Sequence, residues 1–415
     1  MKATQSFHSV SKFSIIKIFI LLILTFLITT SCDLTDPKKD KPKPEGYQED
    51  IPWPSLADSP WPMHHGNPQL NGRIKFDVLI SGSIGWEFKN PNKYIVAGIT
   101  IGSDSLIYVV YENEGLVILD KNGNEKQKFS GDFISSQTTP LITYLGDIIF
   151  FTLDGVYSIK KSGFINWKFD NAGQKSLGAN IDKEGKIYYL NKTSRKLIVL
   201  NSLTGEMFWE YFDNRFNSNS ILTISPDGEY VYLTASKYIF AFEIATKNVK
   251  WTYQNVFSDW NIVDSQGNIY FIAENPTGKG QFLFTSLNQS GNLRWDFKFM
   301  PTDVNITQFA QATIDRQGNI CFVSDTLFSI SFSGKLNWKK KIEGKVITPL
   351  ICDNYNIYYE EFTDPGSFNF IKIDNKGNAT FEIKNIQQNF GESPAIGFNQ
   401  IIIPTGNDEK VYSIK

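Results

Sequence analysis

The chain has 415 residues, 41% hydrophobic and 14% aromatic, which is ample apolar material for a large core. Lys and Arg (41) nearly balance Asp and Glu (43) for a formal charge of −2, and three of the lysines fall in the acid-free first 31 residues. The remainder is therefore more acidic still, and the absence of a basic stripe argues against nucleic-acid binding.

The amino terminus reads as an export signal. Lys12 and Lys17 precede an apolar run from Ile18 to Ile28. That run is too short for a bilayer core of about 30 Å but has the length of a signal-peptide core. Thr29-Thr30-Ser31-Cys32 follows. Small residues just before a cysteine resemble the lipobox of bacterial lipoproteins, with Thr29 where that family usually has Leu. The resemblance implies removal of residues 1–31 and lipidation of Cys32 as the new first residue. Residues 33–60 then read as a flexible tether, because Pro37, Pro42 and Pro44 alternate with Lys and Asp and cannot bury a core.

Downstream, one frame repeats: Gly, three residues, Trp, one residue, aromatic. It occurs at Gly82/Trp86/Phe88, Gly163/Trp167/Phe169, Gly205/Trp209/Tyr211 and Gly291/Trp295/Phe297. Gly334/Trp338 and Trp251/Tyr253, the latter with Lys247 in the glycine position, belong to the same series. Gln127 and Phe381 fill the Trp slot in two weaker copies, and successive slots lie 40 to 44 residues apart. A fixed period of that size indicates a repeat architecture.

Within each unit, Asp-x-x-Gly turns such as Asp182–Gly185, Asp264–Gly267 and Asp315–Gly318 precede β-rich runs such as Ile187–Leu190 and Ile269–Ile272. Aspartate starts the turn and glycine supplies the positive φ. Four short strands per unit make one propeller blade. The last unit has three strands and stops before its Trp strand, while Ile84–Phe88 supplies an unmatched Trp strand upstream. The amino-terminal strand can complete the last blade and so hide the sheet edges. The fold class is all-β: an eight-bladed β-propeller of four-stranded antiparallel blades, closed by the N-terminal strand, over residues 61–415.

These features resemble the quinoprotein-type propellers with pyrroloquinoline-quinone-like repeats. Trp61-Pro62-Met63-His64-His65-Gly66 with Gly72 is similar to the segment that introduces many of them. The resemblance implies that Trp86, Trp167, Trp209, Trp251, Trp295 and Trp338 dock between adjacent blades. The size, repeat and lipobox are similar to the propeller lipoproteins of the outer-membrane barrel-assembly machinery. That resemblance implies a lipid-anchored monomeric scaffold in the cell envelope, with envelope or outer-membrane proteins as partners, no cofactor and no catalysis.

Chemistry-bearing residues are sparse. Beyond residue 31 the only histidines are the adjacent His64 and His65, read as a partly exposed pair, so no histidine relay or histidine-ligated metal is expected in the ring. No calcium set of the quinone dehydrogenases can be placed, and the recurring Asp turns serve as turns. Glu360 and Glu361 read as solvated beside a loop. Cys321 and Cys352 sit in neighbouring repeats, open either to a disulfide or to life as two small buried hydrophobes. The connections leading into the inner strands carry Phe133, Arg215, Phe216, Phe257, Trp260, Phe309 and Phe390. These are candidates for a binding face that would hold a peptide or glycan by stacking, against the alternative of blade-to-blade packing. The expected function is a non-catalytic interaction scaffold, with a glycan or small-ligand binder or a quinone-dependent dehydrogenase as alternatives.

Overall fold

The computed structural model describes residues 42–130, 135–217, 219–278, 280–302, 309–364, 366–387, 392–406 and 409–415. Residues 1–31, Cys32, Phe133 and Phe390 lie outside them. Glu45–Lys415 form one compact unit of eight four-stranded sheets. Blades 1 to 7 span Thr100–Phe129, Leu141–Asp170, Asn180–Phe212, Leu222–Gln254, Ile262–Phe299, Thr313–Lys341 and Ile351–Gln387. Blade 8 joins Ala395–Gly397, Gln400–Thr405 and Lys410–Ile414 to Ile84–Lys89, in the order that places the amino-terminal strand outermost. Ile84 pairs with Ile414 and Lys89 with Lys410, antiparallel, so the ring is closed as expected.

Burial follows position in the blade. Second and third strands such as Ile107–Tyr111 and Gly115–Leu119 are buried throughout, whereas outer strands such as Met207–Phe212 alternate between exposed and half-buried. The two middle strands are covered by neighbouring blades on both faces, and each outer strand faces solvent.

The slot residues form the joints. The Trp86 indole N–H donates to Lys121 O of the next blade at 2.9 Å, and Trp167, Trp251, Trp295 and Trp338 make the same bond at 2.9 to 3.1 Å. Trp209 lies between Tyr188 of its own blade and Phe242 of the next. Each ring rests on the turn glycine of the following blade: Trp86 on Gly123, Trp167 on Gly205, Trp251 on Gly291, Trp295 on Gly334 and Trp338 on Gly377. These glycines have φ between +73° and +85°, and a Cβ would strike the indole, so glycine is required twice over. Gln127 and Phe381 meet Gly163 and Gly82 in the same way.

The segment before the ring differs from the sequence expectation. Residues 45–60, expected in the tether, pack on the face of the Asp turns, and residues 61–74 close that end of the axis. The N–H of Ile101, Ile142, Ile224, Val263, Ile314 and Cys352, in the inner strands of blades 1, 2, 4, 5, 6 and 7, donate to the carbonyls of Trp61, Pro62, Pro68, Gln69, Asn71 and Gly72. These bonds measure 2.8 to 3.0 Å. In blade 3 the Asn180 amide donates to Pro68 O at 2.9 Å, and Ile181 O accepts the Trp53 indole N–H at 2.8 Å. The inner strands have a free edge toward the axis, and the lead-in supplies its partners.

His64 and His65 are buried, at 4% and 1% exposure, not partly exposed, because the lead-in carries them into the axis. His64 spans it, with Nε2 3.1 Å from Gln311 Oε1 near blade 6 and Nδ1 3.4 Å from Thr139 Oγ1 near the opposite blade 2. His65 Nδ1 and Nε2 face the carbonyls of Leu70 and Leu350 at 2.6 and 2.8 Å. Burial pulls His64 down from 6.5 to about 4 and His65 to about 3, against the opposing pull of those acceptors.

Cys321 and Cys352 are buried free thiols. Glu360 and Glu361 are also buried rather than solvated, because the loop expected after Glu360 is instead a long hairpin, Asn356–Asp364 with Ser367–Asp374.

Trp167 is the most enclosed of the joint tryptophans, at 8% exposure. Trp167→Ala should lower the unfolding free energy by about 3–5 kcal/mol, and Trp338→Ala, at an exposed joint, by less; urea titration checks the order. A second expectation concerns acid. The unfolded chain takes up the His64 proton near pH 6.5 but the folded chain only near 4, so stability is full above about 6.5 and falls as pH drops toward 4. His64→Gln should remove roughly half of the histidine-linked slope of the unfolding free energy across that interval, His65 supplying the rest.

Candidate functional site

Antiparallel succession gives the ring two unlike faces. The Asp turns and the turns between third and fourth strands lie on one, called here the turn face. The hairpins between second and third strands and the connections from outer to inner strands lie on the other, the loop face.

The sequence candidates on the loop face are not a ring of exposed aromatics. Phe216, Trp260 and Phe309 are 0%, 2% and 3% exposed. Phe216 packs on Phe240 at 5.1 Å, edge to face. Phe257, half-buried, meets Phe282 at 4.7 Å and Phe309 at 5.5 Å, and the Trp260 indole N–H donates to Phe309 O. These rings fill space between blades. They occur in successive connections at differing offsets from the Trp slot, and an aromatic in a connection is not by itself distinguished as turned inward or outward. Arg215 is 40% exposed, pairs with Asp213 at 2.6 Å and lies 4.4 Å over the Phe240 ring. This pairing holds the Asp213 carboxyl below its ordinary value.

Other residues are exposed on the loop face. Phe212 (55%) ends the outer strand of blade 3 and Met300 (58%) follows that of blade 5. Tyr94 (48%) and Ile347 (42%) lie in the connections into blades 1 and 7. No repeat marks them, because the other blades carry no large apolar residue at the place of Phe212 and the three others lie in connections that differ from blade to blade. The blade 7 hairpin, with strands of 9 and 8 residues against 4 to 6 in the corresponding pairs elsewhere, is the most extended part of this face. Its Glu361 carboxylate caps the N–H groups of Glu343 and Gly344. Glu360 beside it has neither oxygen partnered among the described residues, and burial raises its pKa well above the ordinary value, which keeps it neutral.

Lys175 is 1% exposed, with its ammonium among the carbonyls of Asn171, Thr152 and Gly173 at 2.5, 2.7 and 2.9 Å. Burial lowers it to about 8, and the carbonyl cage favours the charged form. It stitches the blade 2 hairpin to the following connection.

On the turn face the aspartates are consumed locally. Asp264 accepts the N–H of Gln266 and Asn268 and the Tyr270 hydroxyl, and Asp353 accepts those of Tyr355, Asn356 and Tyr358. Burial raises the Asp264 carboxyl despite these donors. No group of three or more His, Cys, Asp or Glu arranged for a metal occurs among the described residues. The turn face holds a cavity of about 780 Å³ between two arcs of the lead-in, 49–60 and 62–75. Trp53, Tyr144 and several prolines wall it, and Asp50, Asn67 and Arg73 lie at its polar side. No local pattern in the sequence marks it, because its walls are brought together by bonds to blades 2 through 7.

A comparison with curated protein sequences finds no match. Among solved structures, BamB from Moraxella catarrhalis is similar with a TM-score of 0.59 at 13% identity, over 80% of this chain and 96% of that one. Quinohemoprotein alcohol dehydrogenase from Comamonas testosteroni gives 0.62 at 10% identity, over 85% and 80%. Virginiamycin B lyase from Staphylococcus aureus gives 0.50 at 12% identity, over 80% and 98%. At these identities the likeness is one of fold, and the fold hosts both enzymes and non-enzymes. The family model described as outer membrane protein assembly factor BamB matches residues 71–297 and 154–381. The chain therefore belongs to the quinoprotein-like propeller family of the outer membrane protein assembly factor BamB.

Proposed function

We propose that this chain is a non-catalytic, lipid-anchored envelope protein whose propeller is an interaction scaffold in outer-membrane protein assembly. Residues 1–31 are its export signal, Cys32 its lipidated anchor, and it acts as a monomer. Family membership supports the assembly role. The observation that carries the reading is the lead-in, whose residues 61–74 fill the turn-face end of the axis. A ring stopped with its own chain works by its faces rather than by a channel.

The loop face is the partner surface. It presents Tyr94, Phe212, Met300 and Ile347 as large apolar contacts on a frame fixed by eight joints. Exposed aromatic and Met side chains on a rigid support cost little ordering on binding, and such residues are the usual anchors of protein interfaces. The extended blade 7 hairpin adds a ridge beside them. The acidic balance of the chain fits partners that are not nucleic acids.

A photoreactive amino acid placed at Phe212, Met300 or Thr363 of the full chain, in intact cells, tests this. Capture of an outer-membrane barrel or one of its assembly factors from these sites, and not from Lys250 on the outer wall, is the expected result. No capture from any loop-face site, together with quinone- and calcium-dependent oxidation of alcohols by the purified chain, would replace the scaffold with an enzyme.

A further inference from the structure

The turn face carries an apolar patch that the scaffold reading does not use. It belongs to blade 2. The turn closed by Gly146 N–H to Thr143 O presents Tyr144 and Leu145, 54% and 56% exposed. The turn closed by Gly163 N–H to Lys160 O presents Phe164, 74% exposed. The two turns touch, because the Lys161 side chain lies against Gly146. The Trp167 indole bond to Ser202 O adds the neighbouring turn of blade 3, whose Leu203 is also exposed.

The repeat does not call for these residues. Turns closed by the same backbone bonds carry Lys183-Glu184, Ser265-Gln266 and Arg316-Gln317 in the place of Tyr144-Leu145. Asn124, Asn292 and Lys335 stand in the place of Phe164. Blade 2 has apolar tips at both of its turns, and adjoining apolar tips held in water mark a surface made to be covered.

Two further observations say what covers it. First, the compact unit begins on this face: Glu45 opens it, and Gly46 lies against Phe332 and Gly318 in the turns of blade 6. Cys32 lies about 13 residues earlier, and a chain of that length reaches at most ~45 Å. An acyl chain on Cys32 therefore keeps a bilayer within that distance of the turn face, which raises the effective concentration of lipid there. Second, the polar rim of the patch is cationic. Lys160 and Lys161 belong to it, Lys161 also pairing with Asp104 of blade 1 at 2.7 Å, and the one carboxylate of the two turns, Asp147, is buried. Aromatic and aliphatic tips beside lysines suit the interfacial zone of a bilayer, where rings sit at headgroup level and ammonium groups meet phosphates. A protein partner or a second copy could use the same tips, but neither accounts for the start of the chain on this face.

We propose that the turn face docks on the bilayer that holds the anchor, with Leu145 and Phe164 inserted to headgroup depth and Tyr144 and the two lysines at the phosphates. The inference rests on the lipid-anchored reading above and adds an orientation to it. The loop face, at the other end of the blades, then points away from the membrane and toward its partners.

The full-length chain, purified with its anchor, is placed in vesicles of phosphatidylethanolamine and phosphatidylglycerol that contain doxyl-labelled lipid. A nitrobenzoxadiazole fluorophore reports from Phe164→Cys or Leu145→Cys. Lys250→Cys on the outer wall and Thr363→Cys on the loop face are the references, and the buried Cys321 and Cys352 are sheltered from the label. Quenching at 164 and 145 at least about threefold above both references is expected, because insertion by about 5–10 Å brings the probe to the doxyl groups. Tyr144→Ser with Leu145→Ser, exposed positions whose loss spares the fold, should bring quenching at 164 down to the reference level. Equal quenching at all four sites, or a probe at 164 shielded by a second copy or another protein instead of lipid, would overturn the proposal. A Cys32→Ser chain with a hexahistidine in place of residues 1–31, held on nickel-chelating vesicles, separates the two readings. Quenching at 164 there, beside failure of the native chain to float with vesicles, keeps the docking and removes the lipid anchor.

Discussion

An eight-bladed ring brings eight short inner strands together around an axis, each with a free edge of N–H and C=O groups and little water to satisfy them. That constraint governs much of this structure. The chain meets it with its own lead-in: six inner-strand N–H groups, at equivalent positions in six repeats, donate to six carbonyls between Trp61 and Gly72. The same segment then supplies the outermost strand of blade 8. The lead-in thus closes the ring twice, once at the axis and once at the rim. It also carries two histidines where a charge would be costly, which ties the closure to neutral pH.

The rim was legible in the sequence and the axis was not. Gly-x-x-x-Trp repeats because each joint makes the same demand, an indole lying on a glycine with positive φ, so the period itself states the architecture. Even the departures were readable: Gln127 and Phe381 fill the slot and meet Gly163 and Gly82 as the indoles do elsewhere. The lead-in has no such signal. It makes roughly one bond per blade, to partners 40 to 285 residues away, and never repeats a local pattern. Its prolines carry the composition of a loose tether and the stiffness of a fixed arc, and only the blades decide between them.

The candidate sites show the same division. Phe216, Trp260 and Phe309 lie in corresponding connections but at differing distances from the inner strand, and the structure spends them on packing between blades. The large apolar residues exposed on the loop face, such as Phe212 and Met300, have no like residue at the same position in the other blades, and most of the walls of the turn-face cavity come from the one segment outside the repeat. In a repeat protein the period encodes what every unit needs to stand, and function sits where the period lapses. The two faces then differ: exposed apolar side chains stand on one, and a concavity walled by the lead-in lies on the other.

Amide hydrogen exchange on the full-length chain, read at single residues by NMR or by fragment mass spectrometry, bears most directly on the lead-in as the internal closure of the ring. The N–H groups of Ile142, Ile224, Val263, Ile314 and Cys352 have only lead-in carbonyls as acceptors in this account. They should exchange as slowly as the buried middle strands, and truncation before Gly82 should expose all of them together. Fast exchange at those five positions in the intact chain, beside slow exchange in the middle strands, would mean that the lead-in does not hold the axis.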